Sequence, residues 1–277
     1  MVYVKLIFVE ILHRPISGNI SAFIIDAESI PERSGKATPL VRRPNTVLFI
    51  VMKPRPEIVS LAEEIHSRSS QLAVPNAMNL RAIRREISLR IANASPQCVI
   101  QLGLHLLTKP TDLMRFFSYE IVNRHRLAFE QLTADDLLKF GEGINSWGSV
   151  DCFAMYLSGP MWARGRISDK AIKAWALSQD RWWRRAALVS TVALSRGGNA
   201  KDFIRVARIC TLLVDDRDDM VVKALSWALR EAAKKHPELV RRFLAEHQEA
   251  LVARVRREVN NKLTTGLKTP RSRVKNH

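Results

Sequence analysis

Residues 180–194 read DRWWRRAALVSTVAL, and in them Trp182, Ala186, Val189 and Ala193 fall at the i, i+4, i+7, i+11 spacing of one helix face. Asp180 stands just ahead, where an N-cap residue would satisfy the first free backbone N–H groups. The same period runs outward in both directions. Upstream, PEIVSLAEEIHSRSSQLA places Ile58, Leu61, Ala62 and Ile65 on one face, with Pro54 and Pro56 before the first turn. MNLRAIRREISLRIAN, CVIQLGLHLLT, TDLMRFFSYEIVNRH, TADDLLKFGEGIN and SDKAIKAWALSQ follow; Thr111, Thr133 and Ser168 stand as caps. Downstream lie AKDFIRVARICTLLVDD, DMVVKALSWALREAAKKH and PELVRRFLAEHQEALVARVRREVNNKL, the last predicted to be helical throughout. Helices that pair and recur at roughly 35 to 45 residues are the pattern of HEAT-like repeats, in which no pair buries its apolar stripe without its neighbours. The expected fold class is therefore all-α, a HEAT-like helical-repeat solenoid over residues 56–263. A generic helical bundle is the alternative.

The two ends read differently. Residues 1–55 carry the β-branched runs IFVEIL and VLFIVM around the stretch IPERSGKATPLVRRPN, and are expected to form a short irregular or strand-containing N-terminal extension. Residues 264–277, TTGLKTPRSRVKNH, are broken by Gly and Pro and are basic, the pattern of a mobile tail.

Forty-four Lys and Arg against 27 Asp and Glu leave the 277-residue chain at +17, more than solubility requires. Such a balance fits a polyanionic partner, and nucleic acid and an anionic membrane surface both qualify on charge. A basic tail alone would also contribute. With 47% hydrophobic residues the chain can build a core. Cys98, Cys152 and Cys210 are odd in number and far apart, and the histidines show no H-x-x-x-H pair, so neither a disulfide framework nor a metal centre is predicted. Lys5 and Glu10 interrupt the apolar start, which argues against a secretory signal; a cytoplasmic address is the default expectation. No run approaches the roughly 20 apolar residues of a membrane span, so no membrane partner is expected.

Within GINSWGSVDCFAMYL, read as one helix, Val150, Phe153, Ala154 and Leu157 make the core stripe. Trp147 and Asp151 then share one flank, a turn apart. A carboxylate at such a boundary is partly desolvated and needs a cation or a hydrogen-bond donor. By itself this pattern also suits a cap or a helix-surface ion pair. Arg184 and Arg185 follow two tryptophans, and an arginine there can fork two donors onto a phosphate. In VVKALSWALREAAKK the stripe Val221, Leu225, Ala228, Leu229 and Ala232 leaves Trp227 at its edge, a candidate contact surface. Phe116, Phe117 and Tyr119 read as core.

SWGSVD, then WWRRAALVSTVAL, then KALSWALREAAKKHPELVRRFL, in this order and with comparable gaps, resemble the DNA alkylation repair proteins with HEAT-like repeats, the AlkD-like DNA glycosylases. The resemblance spans residues 57–263. It implies a curved all-α solenoid whose concave basic face holds duplex DNA. It also implies hydrolysis of the glycosidic bond of purines alkylated on a ring nitrogen, such as 7-methylguanine and 3-methyladenine, with no cofactor and no metal. Carried over position by position, Asp151 is the catalytic carboxylate facing the sugar. Trp147 and Trp227 line the lesion's deoxyribose, and Arg185, with Arg184 beside it, holds the DNA backbone. The implied partner is double-stranded DNA containing alkylated purines, bound by a monomer. The segment IHSRSSQLAVPNAMNLRAIRRE lacks the aromatics that early repeats of the family carry near the lesion, so the resemblance does not extend to base preference. A noncatalytic binder of distorted or branched DNA is the alternative function.

Overall fold

The computed structural model describes residues 55–197 and 199–270; the predicted extension over residues 1–55 and the last seven residues of the tail lie outside them, Arg55 apart. All regular structure among the described residues is helical. The order is α1 (Pro56–Ser70), α2 (Ala77–Arg90), α3 (Pro96–Leu106), α4 (Asp112–Arg124), α5 (Arg126–Gln131), α6 (Ala134–Gly141) and α7 (Trp147–Phe153). A π turn (Ala154–Ser158) leads directly into α8 (Gly159–Ala163). Then come α9 (Asp169–Ala176), α10 (Arg181–Gly197), α11 (Ala200–Thr211), α12 (Asp219–Ala232), α13 (Pro237–Glu246) and α14 (Ala253–Thr265).

Local chemistry sets these boundaries. Asn76, Ser95, Thr111, Thr133, Ser168, Asn199 and Asp218 each accept a backbone N–H of the first turn that follows. Proline opens α1, α3 and α13 where its missing N–H costs nothing. The final segment breaks into two helices, because α13 stops at Glu246 and α14 starts only at Ala253. Leu251 is buried between them and fastens the connection. Helix α14 ends at Thr265, with Gly266 in the left-handed region at φ 74°, so two residues assigned to the tail are helical.

One row of helices runs through the structure by successive contacts, α2 on α4, α4 on α7, α7 on α10, α10 on α12 and α12 on α14. A second set lies against it: α1, α3 and α5 in the first half, α9, α11 and α13 in the second. Helix α10 is the centre of the fold. The expected stripe is wider than its spacing implies, since Ala186, Ala187, Leu188, Val189, Ser190, Thr191 and Val192 are all buried while Trp182 and Ala193 are only partly so. A helix enclosed on nearly all sides has no solvent face to make it amphipathic, and α10 touches α7, α8, α9, α11, α12 and the π turn.

Candidate active site

The site begins in the turn before α7. Gly143 takes φ +66°, a left-handed conformation that a side chain disfavours. The buried Arg115 donates to the Glu142 carbonyl at 2.9 Å and to the Tyr119 hydroxyl at 3.0 Å, fixing the turn from beneath. GINSWGSVDCFAMYL is therefore not helical from its start: residues 143–146 form turn and cap. Ser146 Oγ accepts the Ser149 N–H at 3.0 Å, and Ser149 Oγ accepts the Ser146 N–H at 3.2 Å, a reciprocal capping box. Ser146 Oγ also donates to the Asp112 carboxylate at 2.7 Å, so a negative charge sits at the N-terminal end of α7. A side chain at position 148 would stand 3.2 Å from that carboxylate, which is why glycine suits it.

Trp147 is thereby the first residue of α7, and it is 64% exposed. The predicted inward stripe holds, with Val150, Phe153, Ala154 and Leu157 all buried. Asp151 lies one turn beyond Trp147 on the same face. Two side-chain hydrogen bonds join Asp151 to α10: Arg185 Nε donates to Oδ1 at 2.9 Å and Nη2 to Oδ2 at 2.8 Å. Arg185 Nη1 donates to the Met220 carbonyl at 2.5 Å, reaching the first turn of α12. One guanidinium thus joins three helices of the row.

The structure shows what Arg185 holds within the protein itself. Its fork is engaged with Asp151, and only 7% of its side chain is exposed. The reason is electrostatic. The Asp151 side chain is 20% exposed, and a carboxylate so far withdrawn from water requires a cation close by. Arg184 is likewise engaged, donating from Nε to Asp216 at 2.7 Å and from Nη1 to the carbonyls of Ser178 and Gln179. Trp227 is partly buried against the core, two helical turns beyond Met220 on α12. The contacts link Trp147, Asp151, Arg185 and the start of α12; they do not place Trp227 against Asp151.

Burial pushes the Asp151 carboxyl above its usual range, and the Arg185 hydrogen bonds and charge pull it partly back. Its neighbour Cys152 is pushed up to about 12, chiefly by burial, with the Asp151 charge adding to it. That thiol is not a thiolate at neutral pH and is no nucleophile there. Among the described residues no three His, Cys, Asp or Glu side chains gather as a metal site. No helix among them is long and apolar enough to cross a membrane. A cavity of about 850 Å³ lies between α9, α11 and α13, and none of Trp147, Asp151, Arg184, Arg185 and Trp227 lines it.

Sequence reasoning missed three parts of this site. Arg115 carries no signal, since MRFFSYE reads as an ordinary amphipathic segment. The π turn has none either. The Trp183 ring packs 5.9 Å from Phe153 and 4.9 Å from Trp175, and fits only because residue 141 has no side chain: a Cβ there would meet it at 2.4 Å. The glycine in KFGEGIN was the available clue.

Among the described residues, fold and site define an all-helical structure that holds a partly buried carboxylate on a guanidinium, beside an exposed indole, in a strongly basic chain. A family model described as DNA alkylation repair enzyme matches residues 76–263, which contain every residue of this site. The chain belongs to the DNA alkylation repair enzyme family, and with that membership come a role in DNA repair and DNA as the substrate. Neither the curated proteins nor the solved structures give a match.

Proposed function

We propose that this protein is a DNA glycosylase that hydrolyses the N-glycosidic bond of purines carrying an alkyl group on a ring nitrogen, in duplex DNA, with Asp151 as the catalytic carboxylate. The observation that carries the reading is the Asp151–Arg185 pair one turn from an exposed tryptophan, inside the family-matched segment. The successive helix contacts along α2, α4, α7, α10, α12 and α14 support the reading of a HEAT-like solenoid.

The chemistry follows from the charge of the lesion. A purine alkylated at N7 or N3 is cationic and leaves as a neutral base, its N9 taking the bonding electron pair, so protonation of the leaving group is not the difficulty. The sugar is. As the bond lengthens, C1′ and O4′ share a positive charge, as in other glycoside cleavages. Asp151 opposes that charge and orients the water that adds to C1′. Arg185 holds both carboxylate oxygens, fixing their direction before the substrate arrives, while Trp147 offers an indole face to the cationic sugar. On this reading Trp227, on α12, lines the deoxyribose only when DNA is bound, and Arg185 reaches the DNA backbone while it holds Asp151. Incubation with methylated duplex DNA tests the reading directly. 7-Methylguanine or 3-methyladenine should appear as free base; saturable DNA binding with no release would mark the protein as a noncatalytic DNA binder.

Two further outcomes follow. Release should fall on acidification, with its midpoint above the ordinary carboxylate range. Asp151 must be ionised to act, and its burial raises the pH at which it takes up a proton. A pH–rate profile with uncatalysed depurination subtracted checks this, and activity unchanged down to the ordinary carboxylate range would contradict it. Trp147→Ala should leave stability within about 0.5 kcal/mol, because the side chain is exposed. Release should drop about tenfold, the loss of a cation–π contact of roughly 1 to 2 kcal/mol. Thermal melting and single-turnover release measure the two effects separately.

A further inference from the structure

The turn that follows Asp151 is the least regular part of the row, and it is held from three sides. Residues 154–158 form a π turn between α7 and α8, an inserted residue that a helix does not adopt unless outside contacts support it. From α4, Asn123 Nδ2 donates to the Tyr156 carbonyl at 2.6 Å. From α2, Arg81 Nη2 donates to the Tyr156 hydroxyl at 2.9 Å. From α10, Ser190 Oγ meets Ser158 Oγ at 2.7 Å. Gly159 permits that last approach, since a Cβ there would stand 2.7 Å from the Ala154 carbonyl oxygen and 3.0 Å from that of Ser190.

Arg81 is itself fixed. Its Nε donates to Glu120 Oε1 at 2.9 Å, and Arg84 Nε donates to Glu120 Oε2 at 3.0 Å. Glu120 is completely buried. A carboxylate withdrawn from water and clamped by two guanidinium groups has one orientation, so the group that reaches Tyr156 is presented from a rigid base.

We propose that Tyr156, held by Arg81 and Glu120, is a positioning residue that sets the register of the π turn and thereby the direction of the Asp151 carboxylate. This rests on the reading of Asp151 as the catalytic group. Beyond the turn, Met161 and Trp162 are completely buried and fix α8. Removing the inserted residue from the helical phase therefore has to rotate the segment before it, by up to about 100° at 3.6 residues per turn. Asp151 lies in that segment, three residues ahead of the π turn, and its grip on Arg185 depends on the phase. Val150 and Phe153 in the core limit the rotation, so the expected consequence is a displaced carboxylate in a folded protein. A misplacement on the scale of an ångström is enough to cost a large part of a catalytic rate.

Tyr156→Phe removes the hydroxyl and keeps the ring. It should lower kcat for base release about tenfold, with KM and DNA affinity within twofold. Arg81→Lys, which retains a cation for Glu120 but loses the forked reach to Tyr156, should reproduce the effect and guards against a folding artefact in the first variant. Val240→Ala on α13 supplies a control that loses stability at a buried position outside the row, and its kcat should stay at the wild-type value. The Nε–H resonance of Arg185 gives a readout without catalysis: it should shift in both Tyr156→Phe and Arg81→Lys and stay in place in Val240→Ala. A folded Tyr156→Phe with unchanged kcat and an unmoved Arg185 signal would overturn the proposal, as would a kcat loss matched by the control. A wild-type protein that releases no base would instead remove the reading of Asp151, and the Arg185 signal would still decide whether Tyr156 governs the pair.

Discussion

Asp151→Asn is expected to lose base release by about 10² to 10³-fold while binding methylated duplex DNA with wild-type affinity. The size is that of removing one preorganised electrostatic contact to a charge that develops only in the transition state. Asparagine keeps the shape and one acceptor oxygen, so Arg185 can still donate one hydrogen bond, but the negative charge facing the sugar is gone. DNA affinity in the ground state owes little to a carboxylate, whose charge repels phosphates, and removing it should if anything strengthen nonspecific binding. The comparison is cleanest under single-turnover conditions with enzyme in excess, where product release does not enter the rate. A variant that bound weakly would place Asp151 in DNA recognition, and one that released base normally would remove it from the mechanism.

Glu120→Ala should be the most damaging substitution for stability. It leaves Arg84, whose side chain is 10% exposed, without the carboxylate that neutralises it, and it frees the partly exposed Arg81 to turn toward solvent. Breaking a buried ion pair from one side costs about 3 to 5 kcal/mol. In a domain of this size that amounts to roughly a 10 °C fall in melting temperature. The double variant Glu120→Leu with Arg84→Met should recover most of the loss, because an apolar pair of similar volume leaves no charge uncompensated. Far-UV circular dichroism melts of the single and double variants measure both values. A single variant as stable as wild type would show that the cluster carries no burden in the fold.

The helical character of the chain was legible because its signals are local. A stripe at i, i+4, i+7 and a cap such as Thr111, Thr133 or Ser168 lie within a few residues of each other, and each reappears where the spacing predicts it. The break between α13 and α14 was not legible, since EHQEALV contains neither glycine nor proline, and buried Leu251 fastens it through contacts that spacing does not encode. The site divides in the same way. Trp147 and Asp151 are four residues apart in one helix, so their common face could be read from the sequence. Arg185 is 34 residues from Asp151, and its partner is chosen by the packing of α7 on α10. The neighbours of an arginine in sequence do not show that a partly buried carboxylate on another helix will engage its fork. The π turn and its ties to Tyr156 depend on α2, α4 and α10 at once, and no window along the chain contains all three.

On the proposed function, the carboxylate on α7 meets a positive charge formed during cleavage of a glycosidic bond. The most direct test is chromatographic detection of bases set free when the wild-type protein is incubated with duplex DNA methylated at N7 of guanine and N3 of adenine. Free methylated purine is expected at a rate well above spontaneous depurination, with the phosphodiester backbone left intact. DNA bound at equal protein concentration with no methylated base above the spontaneous background would contradict that function.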